Sequence, residues 1–229
     1  MVWSLRATSS LSMASRADSR PAKPTGTAAD DLIVAVMYDE GDTPIAFTSP
    51  TTGPPGFTAL RNGENVSSSP DANYRAWYRI ADGGANDTIT PTHGNVYCGW
   101  AVASFTPTRT PAALNVESAA AQTANATTLN LTAITTTKPD CIIIAGAVDF
   151  YEHNFTTPTG YAEAVECSPG GAAIFWVEQA APASTGTVSV TWAAGTSAAV
   201  GALHAFQPAD AAAAPYVRPV NFIYTHTRM

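Results

Sequence analysis

Charge is what this sequence has least of. Charged residues make up 13% of the chain, against the usual quarter or so of a soluble domain. Basic charge is scarcer still. Eleven Lys and Arg stand against 18 Asp and Glu, for a net charge of −7, with no basic cluster. Phosphate backbones are neutralised by Lys and Arg, so nucleic-acid binding is excluded as a main role. Cysteine is also sparse: Cys98, Cys141 and Cys167. An odd number without CxxC spacing is neither a disulfide framework nor a zinc site. Cys98 and Cys141 lie in apolar strand-like runs and are expected to be buried, whereas Cys167, next to "SPGG", has the setting of an exposed thiol. No apolar run approaches the roughly 20 residues a bilayer crossing needs. The opening "MVWSLRATSSLSMASRADSR" lacks the continuous apolar stretch of a secretory signal. Its Arg and Ser content suits a transit peptide less well than the alternation of Trp3, Leu5 and Ala7 suits a strand.

Helix signals are missing too. Gly and Pro punctuate the chain about every ten residues, and β-branched residues fill the gaps. In "TLNLT", Leu129 and Leu131 face one way and Thr128, Asn130 and Thr132 the other. "TVSVTW" separates Val188, Val190 and Trp192 from Thr187, Ser189 and Thr191. This two-residue period predicts half-buried strands. "LIVAVM" (Leu32–Met37) and "CIIIAGAV" (Cys141–Val148) are apolar on both faces, which predicts central strands covered on both sides.

The chain reads as two copies of one unit. Asp31 and its apolar run align with Asp140 and its run, and "PPGF" (Pro54–Phe57) with "PTGY" (Pro158–Tyr161). "AWYRIA" around Trp77 aligns with "IFWVEQA" around Trp176, and "AVASFTP" (Ala101–Pro107) with "ALHAFQP" (Ala202–Pro208). These spacings predict an all-β, antiparallel two-sheet sandwich, jelly-roll-like, with halves of about residues 27–107 and 125–208 related by a pseudo-twofold axis. A tandem of Ig-like units is the alternative. Residues 1–26 form an N-terminal strand or arm and 209–229 a C-terminal arm. The spacer between the halves is expected to add a strand near Leu114 and Val116.

Candidate chemistry is thin. There is no G-x-S-x-G elbow and no phosphate-cradling Gly loop. The four histidines are scattered, and His204 has the setting of a core or interface histidine. The acidic turns after the two central runs supply hard oxygen donors, so Asp39, Glu40, Asp42, Asp149 and Glu152 are calcium candidates. Their spacing does not match a D-x-D-x-D-G loop, and solvated turn residues are the plainer reading. A carboxylate pair drawn from them would suit glycoside cleavage only if both acids faced one aromatic-lined cleft. Arg75 and Arg79 flank Trp77 on one strand face, either stacking on a ring or solvated. Beyond Pro208, Tyr216, Val217, Val220, Phe222, Ile223 and Tyr224 form a β-prone apolar strip that needs a cover. The cover is the chain's own sandwich or, by strand addition, a neighbouring subunit.

With these features in view, the chain resembles a loosely defined group of β-sandwich proteins of tailed bacteriophages: minor tail, fibre-associated and capsid-decorating proteins. The residues that carry the likeness are "GTAADDLIVAVMYDEGD", "PPGFTAL", "YRAWYRIADGG" and "AVASFTP", with their second-half counterparts, across Thr27–Pro208. The resemblance implies a non-enzymatic virion structural protein displayed on head or tail, held by its termini to capsid or tail subunits. It further implies a homo-oligomer. From the residues themselves no membrane partner is expected, and no cofactor other than calcium at the acidic turns. The competing classes are a carbohydrate-binding, lectin-like host-attachment module and a glycoside hydrolase. The lectin reading predicts aromatics presented on loops, with Phe57 and Tyr161 as glycan contacts and Phe47 and Phe155 as further candidates.

Overall fold

The structure is a computed structural model. It describes residues 2–16, 21–40, 47–49, 56–66, 72–84, 89, 92–93, 95–151, 153–167, 171–193 and 195–210. All regular structure in these residues is β: β1 (Trp3–Arg16), β2 (Leu32–Asp39), β3 (Phe47–Ser49), β4 (Thr58–Val66), β5 (Ala72–Ile80), β6 (Thr92–His93), β7 (Val96–Pro107), β8 (Ala113–Glu117), β9 (Ala121–Ala126), β10 (Thr128–Leu131), β11 (Cys141–Asp149), β12 (Phe155–Thr156), β13 (Ala162–Glu166), β14 (Ala172–Gln179), β15 (Val188–Trp192) and β16 (Ser197–Gln207).

Two large antiparallel sheets carry the fold. One has the order β1-β7-β2-β5-β4; the other runs β13-β14-β11-β16-β8, with β9 continuing β8 along the edge of β16. Each half of the chain therefore builds one whole sheet. The two orders match strand for strand: β1 with β8 and β9, β2 with β11, β4 with β13, β5 with β14, β7 with β16. β2 and β11 are central and every residue in them is buried, because both faces are apolar and both are covered. The spacer strand expected near Leu114 is β8. The N-terminal strand is the margin of the first sheet, locked to β7 from Trp3↔Pro107 to Arg16↔Val96.

The sheets pack face to face. β1 lies over β13, β7 over β14, β5 over β16 and β4 over β9, as a twofold axis near β2 and β11 requires. The shared core takes Leu32, Val34, Val36, Tyr74 and Phe105 from one sheet and Ile142, Ile144, Ile174, Val200 and Phe206 from the other. Each sheet also has an apolar outer face. On the first, Ile33, Ala35, Met37, Trp77 and Trp100 form a cluster in which the two indoles stack at 5.4 Å. On the second, a small sheet in the order β10-β15-β12 covers Ile143, Ala145, Phe175 and Leu203 with Leu129, Leu131, Val190 and Trp192. The second half thus has a layer beyond the two-sheet sandwich.

The correspondence between halves is offset by one residue from the sequence anchors. Leu32 and Ile142 both face the shared core, while Ile33 and Ile143 both face outward. Leu32 therefore matches Ile142, and the Asp before each run is Asp30 and Asp140. Both take left-handed conformations, φ 68° and 58°, which Asp tolerates better than most residues. The same shift separates the anchor tryptophans. Trp77 points to the outer cluster, whereas Trp176 turns inward against Phe105 at 5.6 Å. Cys167 is buried along with Cys98 and Cys141: the backbone bond from its N–H to the Ala172 carbonyl tucks it under β14.

Candidate functional site

The two central strands end on corresponding acids, Asp39 and Asp149, and both are fully buried. They are the last residues of strands rather than members of solvated turns. Each side chain sits on the outer face of its own sheet, so the two point away from each other across the sandwich. Stacked sheets are about 10 Å apart, and carboxylates facing opposite ways at that spacing cannot flank one glycosidic bond. Each has a local partner. Arg75, which pairs with Met37 two residues back and so shares the face of Asp39, brings Nε to 3.0 Å from Asp39 Oδ2 and is itself only 4% exposed. It is neither solvated nor displayed at the surface. Burial lowers the guanidinium pKa, against the pull of Asp39. The position equivalent to Arg75 in the second sheet is Ala173, which cannot pair with Asp149. There the carboxylate is held by the turn that follows it: His153 Nδ1 lies 2.7 Å from Asp149 Oδ2, and the His153 amide donates to the same oxygen at 3.3 Å. Burial raises the Asp149 pKa, while His153 and Ser197 oppose it.

His153 in turn stacks on Trp192, at 6.2 Å and 13°. Tyr151, 54% exposed, meets His153 edge-on. Nearby, Glu166 Oε1 accepts from the Phe155 amide at 2.8 Å. Burial pushes its pKa up to about 7, with Glu163 and Asp149 adding negative charge. Phe155 is buried in β12 against Phe175 and Trp192, so it is not a displayed aromatic. Glu40 is exposed, with its amide bonded to the Tyr97 carbonyl at 3.0 Å. Asp42, Glu152, and Tyr216, Val217, Val220, Phe222, Ile223 and Tyr224 lie outside the described residues, as does the side chain of Phe47. Among the described residues, no three His, Cys, Asp or Glu side chains come together as a metal site.

A second polar feature had only His204 as a signal in the sequence. The His204 Nε2 lies 3.0 Å from the Tyr74 hydroxyl across the sheet–sheet interface, and its Nδ1 is 3.6 Å from Glu117 Oε2. Arg61, on β4, reaches the Ser118 carbonyl and comes within 3.8 Å of Glu117. Burial holds the His204 pKa below its ordinary value, against Glu117, and raises that of Tyr74. His204 in turn holds the Glu117 carboxyl below the usual range, outweighing partial burial. These groups tie β4, β5, β8 and β16 together and serve the joint between the halves.

Phe57 and Tyr161 do occupy equivalent places. Each follows a Gly with positive φ, 72° at Gly56 and 85° at Gly160, that lets the turn enter the next strand. Each ring packs half-buried on the outer cluster of its own sheet. Their surroundings differ. Beside Phe57, Arg79 donates to the Gly56 carbonyl at 3.2 Å and pairs with Asp82 at 2.8 Å, lying across the turn. The residue matching Arg79 is Val177, which is too short to do this. The space stays open as a groove of about 340 Å³ lined by Gly160, Tyr161, Ala162, Trp176, Val177 and Glu178. On the far side of the same ring is a second groove of about 260 Å³, whose lining includes Thr159, Thr185, Thr187 and Ser189. Burial pushes the Tyr161 hydroxyl up to about 12. Tyr161 is thus a ridge between a mostly apolar groove and a hydroxyl-lined one.

Comparison with protein-family models, with curated proteins and with solved structures finds no match to this chain.

Proposed function

We propose that the chain is a non-enzymatic structural subunit displayed on a virus particle of the tailed-bacteriophage kind, on head or tail, held to neighbouring subunits through its ends. The observation that carries this reading is the margin of the first sheet. β1 is 14 residues long, shifts register only at Leu5/Ala7 and Leu11/Ala14, and no described strand pairs with its outer edge. A strand edge of that length offers a row of backbone donors and acceptors to any passing chain, and proteins that work alone blunt such edges. In an assembly the same edge is an attachment site for a neighbour's strand. The start of β1 also ties the halves together: Trp3 is buried in the shared core, its Nε1 donates to the Asp140 carbonyl at 2.7 Å, and Glu178 takes the Val2 amide at 2.6 Å. A neighbour bound along β1 would therefore grip a rigid element. The resemblance of Thr27–Pro208 to phage virion proteins and the low-charge, hydroxyl-rich composition point the same way.

Light scattering on the purified chain, with and without the residues after Pro208, tests the reading. The expected result is an oligomer that falls to monomer on truncation. A full-length monomer, or a mass unchanged by truncation, counts against it. Gold-labelled antibody to the chain should decorate virus particles in electron micrographs; label confined to free protein would overturn particle display. A carbohydrate-binding, lectin-like host-attachment module is the second reading, favoured by the open groove beside Tyr161.

A further inference from the structure

We infer that the Tyr161 ridge is a binding site for a neutral oligosaccharide, with one sugar ring in the groove on each side of it. This inference rests on the second reading above and names its site. Four observations carry it. First, the halves differ here: Arg79 closes the Phe57 side, while Val177 leaves the Tyr161 side open. Second, the floor of the larger groove is a sheet step. β13 begins at Ala162, opposite Trp176, so Val177 and Glu178 run past the last β13 pair and present the margin of β14. Third, the ring is backed by the core cluster of the second half and is fixed before any ligand arrives, which lowers the ordering cost of binding. Fourth, the chemistry of the linings is selective. The smaller groove offers Thr and Ser hydroxyls, with Thr159 and Thr187 on exposed residues. The larger offers the Tyr161 ring, a mostly apolar wall and one carboxylate, Glu178, of which Oε1 already takes the Val2 amide. Neither lining contains Lys or Arg. Anionic ligands such as sialylated or phosphorylated sugars have no counter-charge there, and apolar ligands would strand the hydroxyls. A ligand with alternating C–H faces and hydroxyl rims satisfies both: C–H faces on the Tyr161 ring, hydroxyls on Thr159, Thr187 and Glu178. The volumes, about 340 and 260 Å³, fall on either side of the lower limit for small-ligand sites, which suits single sugar rings in an open groove.

The test is a tryptophan-fluorescence titration of the full chain with trisaccharides of glucose, galactose, mannose and N-acetylglucosamine, and with sialyllactose as the anionic arm. Saturable binding of at least one neutral trisaccharide is expected, unchanged by EDTA. Tyr161→Ala should weaken it at least about tenfold. Tyr161→Phe, which keeps the ring, should stay within about threefold. Val177→Arg, which copies the closed Phe57 side, should abolish binding while circular dichroism and the melting temperature stay near those of the parent chain. Binding that persists in Tyr161→Ala and Val177→Arg would place a sugar site elsewhere, overturning this inference and sparing the lectin reading. No saturable binding of any neutral trisaccharide, or a preference for sialyllactose, would overturn the inference outright, and the former would remove the lectin reading with it.

Discussion

Replacing Gly146 with Ala puts the stacking of the two sheets to a quantitative test. Gly146 lies in β11, under Tyr74 of the opposite sheet. A Cβ there would stand 2.3 Å from the Tyr74 hydroxyl oxygen and 3.0 Å from Val36 Cγ2. The oxygen must retreat by roughly 1 Å to reach van der Waals contact, and overpacking of this kind costs about 1–3 kcal/mol. Retreat also breaks the 3.0 Å bond to His204, a further ~1 kcal/mol. The sum is about 2–4 kcal/mol of destabilisation. Were β11 not covered here, the same change would be mildly stabilising, by about 0.4–1 kcal/mol, because Ala restricts the unfolded chain. Tyr74→Phe removes the offending oxygen and, alone, costs about 1–3 kcal/mol for the stranded His204 nitrogen. In that background Gly146→Ala should cost at least 1 kcal/mol less than in the parent, well beyond the ~0.5 kcal/mol scatter of independent sites. Urea unfolding, compared at constant slope, reads all four corners of the cycle. Additive effects, or a Gly146→Ala chain as stable as the parent, would refute the placement of β5 over β11.

Two further outcomes follow from buried Asp39 and half-buried Glu166. Arg75→Ala strands Asp39 in the outer cluster of the first sheet and should cost about 3–5 kcal/mol; adding Asp39→Asn should recover part of it, and urea midpoints will show whether it does. Glu166 has a folded pKa of about 7, raised from the ordinary 4.5. The folded state thus holds this proton more tightly than the unfolded one, and the stability it contributes falls as pH rises from 4.5 to 7. Glu166→Gln should raise the melting temperature relative to the parent at pH 8 and leave it nearly unchanged at pH 4; equal differences at both pH values would show that the Glu166 carboxyl is not desolvated as described.

The residues that could be read in advance are those with a clean period. Leu129, Leu131, Val188, Val190 and Trp192 alternate with polar neighbours, and all five are buried where the alternation puts them. The central strands show where the signal fails. β2 and β11 are apolar on both faces, so nothing in their pattern distinguishes one register from the next. A slip of one residue exchanges every side chain between faces, which is why Asp31 with Asp140 looked as sound an anchor as Asp30 with Asp140, and Trp176 as sound a partner for Trp77 as Phe175. The candidate site was half legible for a similar reason. The repeated Pro-x-Gly-aromatic turn marks Phe57 and Tyr161, but whether the space beside each is filled depends on Arg79 and Val177, on a different strand.

Composition and periodicity by themselves determined the class: an all-β chain, duplicated, with two strands buried on both sides. Local pattern suffices for this because strand formation and burial are decided by near neighbours along the chain. Only the tertiary structure decided which face each central residue took, that each half keeps a whole sheet, and that Asp39 and Asp149 are sealed against Arg75 and His153 on opposite outer faces. These depend on distances between residues far apart in sequence, where a single step in register reverses what meets what.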